Sequence, residues 1–145
     1  MTALEILNNN LEGNFIRRFS IGDTFDLYFG DCWLITHDLI SEDEVQLNRW
    51  LEENYLSYNN TVDKENISKS AILAAHLQKE VIGVQLDNLC NLSIEFENDS
   101  KLILTTNVGI VDWQWCLNET GNNPYSDYLV ACFWKGEIQI NNDKF

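Results

Sequence analysis

The chain has 145 residues, 45% hydrophobic and 12% aromatic, enough apolar material for one domain with a packed core. Twenty-three acidic residues against nine basic ones give a formal net charge of −14. That excess disfavours direct binding to nucleic acid or to an anionic membrane, since both would repel it, and suits either a cationic partner or a solvated surface.

The first residues, Met1-Thr2-Ala3-Leu4-Glu5, lack the basic start and apolar stretch of a signal peptide, and no apolar run reaches membrane-span length. A cytoplasmic protein is expected. Leu4, Leu7 and Leu11 recur at helical spacing and predict a helix from residue 3 to about 10, ended by Gly13-Asn14. Residues 15–20 read as a strand and Gly22-Asp23 as a turn. Residues 24–29 form a second strand with Phe25, Leu27 and Phe29 on its buried face. Gly30-Asp31 turns again, and residues 32–38 make a third strand. Ser41 with Glu44 three positions on has the form of a capping box. The helix it opens runs to about residue 55 and should bury the row Leu47, Leu51 and Tyr55. Residues 54–66 are a polar connection, and Ser68 or Ser70 starts a helix carrying Ile72, Leu73, His76 and Leu77.

Residues 81–107 repeat the pattern of the first unit. Leu92, Ile94 and Phe96 alternate with Ser93, Glu95 and Glu97. Asn98-Asp99-Ser100 supplies turn chemistry, and Leu102 and Leu104 restart the alternation. Phe15-Ile16 matches Val81-Ile82 at an offset of 66 residues, Phe25, Leu27 and Phe29 match Leu92, Ile94 and Phe96 at 67, and Trp33 to Asp38 match Leu102 to Asn107 at 69. Two copies of a helix–three-strand unit follow, approximately 4–38 and 70–107. Trp113, Trp115 and Leu117 alternate in a further strand. Gly121 and Pro124 mark a loop, residues 128–134 are apolar on both faces, and Ile138 and Ile140 point inward from the last strand, after which the chain should fray. The expected fold is a single α+β domain over 1–145. An antiparallel sheet is built from the duplicated unit and extended by C-terminal strands, with helices on one side.

Chemistry is sparse. There is no phosphate loop, GxSxG, HExxH or dinucleotide fingerprint. His37 and His76 have no partners at metal or nucleophile spacing, and Cys32 with His37 on one strand would project awkwardly for a thiol–imidazole pair. Asp23, Asp26 and Asp31 cluster near turns, but not at EF-hand spacing; turn capping explains them better. Cys32, Cys90, Cys116 and Cys132 sit in apolar surroundings without a CxxC and read as reduced core residues. No catalytic set, cofactor or metal is expected. Trp113 and Trp115, two positions apart on one strand, read as core.

The elements Val81-x-x-Val84-x-Leu86, then Leu92-x-Ile94-x-Phe96-x-Asn98-Asp99-x-x-Leu102, Asp112-Trp113, and Val130-Ala131-Cys132 before Lys135-Gly136-Glu137-Ile138, have a counterpart in a known group. In them the chain resembles the small acidic immunity proteins of contact-dependent growth inhibition and related polymorphic toxin systems. The resemblance covers the second half directly and the first half through the repeat. It implies a cytosolic protein that binds one cognate toxin, with no catalysis of its own. The motifs are fold motifs and bring no functional residue with them. A basic, nuclease-type toxin would be steered by the acidic charge. Glu42, Asp43, Glu52 and Glu53 lie largely off the buried row of their helix and are the candidate docking charges. Asp23 and Asp31 join them if they lie on the same side, and Tyr28 and Tyr125 are candidate exposed anchors. Two other readings stand beside this one. The first is an enzyme or small-ligand binder with a pocket between the sheet and the 41–55 helix, with carboxylates or His37 at its base. The second is an assembly subunit pairing through an edge strand.

Overall fold

A computed structural model describes residues 1–145. The first helix, α1 (Ala3–Leu11), is opened by Thr2, whose Oγ1 accepts the Glu5 N–H at 3.2 Å while Glu5 Oε2 accepts the Thr2 N–H at 2.8 Å. This reciprocal pair satisfies two otherwise orphaned donors of the first turn. Ile6, Leu7 and Leu11 form the buried stripe of α1. An antiparallel meander follows: β1 (Arg18–Ile21), β2 (Phe25–Tyr28) and β3 (Cys32–Thr36). Next come β4 (Leu39–Ile40), α2 (Glu44–Asn54), a 3-10 turn (Tyr58–Asn60) and α3 (Lys64–Ala75). A second meander, β5 (Val81–Leu86), β6 (Leu92–Phe96) and β7 (Lys101–Leu104), leads to β8 (Trp113–Glu119), β9 (Val130–Phe133) and β10 (Glu137–Ile140). The chain ends in a 3-10 turn (Asn142–Lys144) where fraying was expected.

The fold is α+β with two antiparallel sheets. Six strands are ordered β1-β2-β3-β8-β9-β10 and four are ordered β4-β7-β6-β5. The two helix–meander units have the same connectivity but lie in different sheets, and the C-terminal strands extend only the first unit's sheet. Their pairing registers correspond: Phe19 with Val84, Leu27 with Ile94, and Leu34 with Leu102, at offsets of 65, 67 and 68 residues. From Phe19 onward the offset changes only in the two hairpin turns, which are longer in the second unit. Two expected offsets are thereby corrected. The first strand aligns at 65, with a further shift at the bulge between Val81 and Gly83, and buried Leu102, not half-buried Ile103, is the counterpart of Leu34.

Inward residues of both sheets, with α1 and α3, share one apolar core of 24 buried residues. A smaller cluster, Ile35, Trp113, Cys116 and Ala131, lies apart from it. The register slips between Trp113 and Trp115, so these two side chains enter different clusters despite their period-2 spacing. No helix is long and apolar enough to cross a membrane.

The region around α2 departs most from expectation. Asp43, not Ser41, occupies the N-cap and makes no side-chain cap bond, so the Ser41–Glu44 box does not form. Glu44 is engaged elsewhere: its Oε1 lies 2.8 Å from Nζ of Lys69, a residue of α3 only 4% exposed. Lys69 also meets Asp38 at 3.3 Å and donates to the Leu39 carbonyl. Burial opposes its charge, but Glu44 and Asp38 outweigh that and hold the Lys69 ammonium above its usual pKa. Helix α3 starts four residues before Ser68. Inside it, the Ser68 hydroxyl donates to the Glu65 carbonyl instead of capping.

Candidate interaction surface

Helix α2 is held along one side only. Leu51 is buried and Leu47 half-buried, while the third member of the expected apolar row, Tyr55, is exposed. The outward side carries Val45, 70% exposed, and Trp50, 57% exposed, and the connection beyond it carries Leu56, 93% exposed. Glu42, Asp43, Glu52 and Glu53 are all exposed, and Arg49 is the one base of the helix. Helical geometry aligns Asp43, Leu47 and Trp50 at intervals of four and three, and sets Glu53 one turn beyond Trp50. Asp43, Gln46, Leu47 and Trp50 line a shallow groove of about 250 Å³. An open indole, with Asp43 across the groove and Glu53 one turn on, is thus the main feature of this face. Trp50 and Val45 were not among the sequence candidates. A signal existed: Trp50 stands between the polar flank and the i, i+4 row, where a fully packed helix carries a smaller or polar residue.

The remaining candidates lie elsewhere. Asp23 and Asp31 are exposed in the turns flanking β2. Tyr28 is not an open anchor: its ring stacks on Trp33 at 5.3 Å and 13°, and the Arg18 guanidinium covers it at 4.0 Å. Tyr125 is exposed, with its ring 5.5 Å from Trp113, which in turn sits 5.1 Å from His37. These four belong to the six-stranded sheet and its loops, whereas α2 packs on α3 and the 3-10 turn. The eight sequence candidates therefore divide into an α2 group of four acids and a sheet group of two aspartates and two tyrosines.

The four cysteines are free. Burial, with Asp31 adding to it, pushes the Cys32 thiol up to about 12; burial with Cys90 beside it does the same for Cys132, also to about 12. Cys116 is raised further by burial, and Cys90 is raised by burial too. Thiols held protonated in this way are poor nucleophiles. Cys32 Sγ faces the Asn10 carbonyl at 3.8 Å, not His37. No group of three His, Cys, Asp or Glu side chains is arranged to hold a metal ion.

Burial disfavours the charged form of both histidines. Burial lowers the pKa of His37, with Asp112 opposing. Burial also lowers that of His76, whose Nδ1–H donates to the Ile72 carbonyl at 2.7 Å, against an opposing contribution from that carbonyl. Folded pKa values below the unfolded one give stability that is present above about pH 6.5 and is lost as pH falls through the folded values. The urea midpoint is therefore expected to drop between pH 7.5 and pH 5. That slope should flatten in a His37→Gln/His76→Gln double variant; an unchanged slope assigns the acid response to other groups.

A scan of protein-family models finds no match to this chain. Searches of curated proteins and of solved structures find no match either.

Proposed function

We propose that the protein is an immunity protein, which binds and neutralises a basic, nuclease-type bacterial toxin in the cytoplasm and carries out no reaction of its own. The observation that carries this reading is the α2 face, where Trp50 stands half-open with Asp43 across the groove and Glu53 one turn on, and where Glu42 and Glu52 are exposed as well. An exposed tryptophan with carboxylates nearby suits an interface with a buried aromatic anchor and a charged border. A formal charge of −14 adds long-range attraction for a cationic enzyme whose active cleft evolved to receive phosphates. The carboxylates beneath the first turn of α2, Asp38 and Glu44, converge on the Lys69 ammonium, so that position is occupied by an ion pair and not by an acid–base couple.

The test uses the toxin region that this reading expects beside the gene, expressed and purified separately. Stoichiometric addition of the protein should abolish toxin activity. Reversing Glu42, Asp43, Glu52 and Glu53 to lysine should leave folding intact, slow association by about tenfold or more at low salt, and weaken the salt dependence of that rate. Full toxin activity in the presence of excess protein would overturn the reading. Association of the reversed protein at the wild-type rate would exclude α2 as the docking face.

A further inference from the structure

The turn before β6 touches the β9–β10 hairpin at Leu89 and Gly136. A groove of about 370 Å³ opens there, walled by Leu89, 60% exposed, and Trp134, 49% exposed, with Thr105 and Asn107 from the end of β7 and with Lys135 at the lip. The size lies within the range of small-ligand sites.

The walls are rigid. Asp87 accepts the backbone N–H groups of Leu89 and Asn91, each at 2.9 Å, and the Asn91 amide at 2.8 Å. Asn91 Oδ1 accepts the Thr106 N–H at 3.0 Å, the Thr106 hydroxyl donates to the Leu89 carbonyl at 2.8 Å, and Trp115 Nε1–H donates to the Cys90 carbonyl at 2.9 Å. On the opposite side Gly136 has φ +78°, and a Cβ there would stand 2.9 Å from the Leu89 carbonyl oxygen. Only glycine allows the hairpin to lie this close to the turn. The backbone that carries Leu89 is therefore fixed against the hairpin that carries Trp134, and both side chains line the groove.

The groove also holds unspent polar capacity. Thr105 is buried and its Oγ1 has no hydrogen-bond partner. Lys135 sits in the left-handed region at φ +67°, which costs a non-glycine residue energy. It makes no ion pair, and the Lys135 ammonium rests 5.1 Å from the Trp134 ring centre. An indole surface, an aliphatic wall, one unpaired cation and one unpaired hydroxyl select a flat aromatic group bearing an anion.

We infer that this groove is a binding site for a small planar aromatic carboxylate. The ring packs between Trp134 and Leu89, and the carboxylate takes the Lys135 ammonium and, by rotation of its side chain, the Thr105 hydroxyl. The site is separate from α2 and does not depend on the toxin-binding reading.

The probes are indole-3-acetate, its neutral amide and acetate, titrated into the full-length protein while the Trp134 indole N–H resonance is followed. Indole-3-acetate should give saturable shifts at Trp134 and Asn107 with a Kd of about 1 mM or tighter, and acetate none. Lys135→Gln should weaken the acid by about tenfold and abolish its advantage over the amide. Thr105→Val should weaken binding without unfolding the protein, since the hydroxyl it removes makes no bond. No saturable shift at Trp134, or equal affinity for acid and amide in the wild type, would overturn the assignment. Undiminished binding by Lys135→Gln would do the same.

Discussion

Lys69→Ala is expected to destabilise the protein by roughly 3–5 kcal/mol, the cost typical of removing one member of a buried ion pair and leaving its partners uncompensated. Glu44 is left largely shielded beneath α2, the Leu39 carbonyl loses its donor, and the emptied volume lies between α3, α2 and β4. For a chain of this size the melting temperature should fall by about 10 °C. Asp38, the more exposed carboxylate, can rehydrate, so Asp38→Asn should cost less than Glu44→Gln. The pH dependence identifies the mechanism. The folded pKa of Lys69 is raised, so its contribution is complete below the unfolded pKa of about 10.4 and disappears as pH rises through the folded value. The gap between wild type and Lys69→Ala in urea unfolding should be constant at neutral pH and close in strong alkali. A gap that persists there would mean that lost packing, not charge, sets the cost. Lys69 is also the main polar tie between α2 and the rest of the fold, so amide exchange over 44–54 should accelerate in the alanine variant beyond the change in global stability.

Trp50→Ala is expected to leave stability within about 0.5 kcal/mol of wild type, because more than half of the side chain already faces solvent. Its effect should fall on the partner. Loss of a central aromatic anchor typically costs 2 kcal/mol or more, which is about a thirtyfold or larger rise in Kd. It should come through faster dissociation, since the indole contributes nothing to long-range attraction. This contrasts with the charge reversal at Glu42, Asp43, Glu52 and Glu53, which acts on the association rate. The two variants therefore separate anchor from rim on one helix. A Trp50→Ala protein that dissociates from the toxin at the wild-type rate would place the anchor elsewhere, and Tyr125, exposed beside Trp113, is the next residue to replace.

The strands were largely legible because their signal is local. Leu92, Ile94 and Phe96 alternate with half-buried or exposed neighbours as period-2 spacing requires, and so do Phe25 and Leu27. What escaped was set by residues distant in the chain. Thr2-x-x-Glu5 and Ser41-x-x-Glu44 have the same form, yet only the first forms a capping box, since Lys69 takes the second glutamate from another helix. Tyr28 falls on the outward face, as the alternation says, but the neighbouring strand brings Trp33 against it. The bulge that separates Trp113 from Trp115 follows from pairing with β9, which no local pattern encodes. At the candidate surface the acids were found by their distance from the buried row. Trp50 was passed over because hydrophobicity alone does not say which apolar residue the fold leaves uncovered.

The division of strands between the sheets has a consequence for how the protein is made. The repeat invites the thought of two halves that mature one after the other, but β3 pairs with β8, and β4, the last strand of the first half, pairs with β7. Neither sheet is complete until chain from the far half has emerged from the ribosome. At the point where residues 1–60 are out, β3 has an unpaired edge and β4 has no partner at all. Pairings that close such long loops form slowly and leave strand edges open meanwhile. A nascent first half should therefore remain protease-sensitive until β8 is synthesised. Fragments cut in the 54–66 connection should fail to fold separately and regain structure only when mixed.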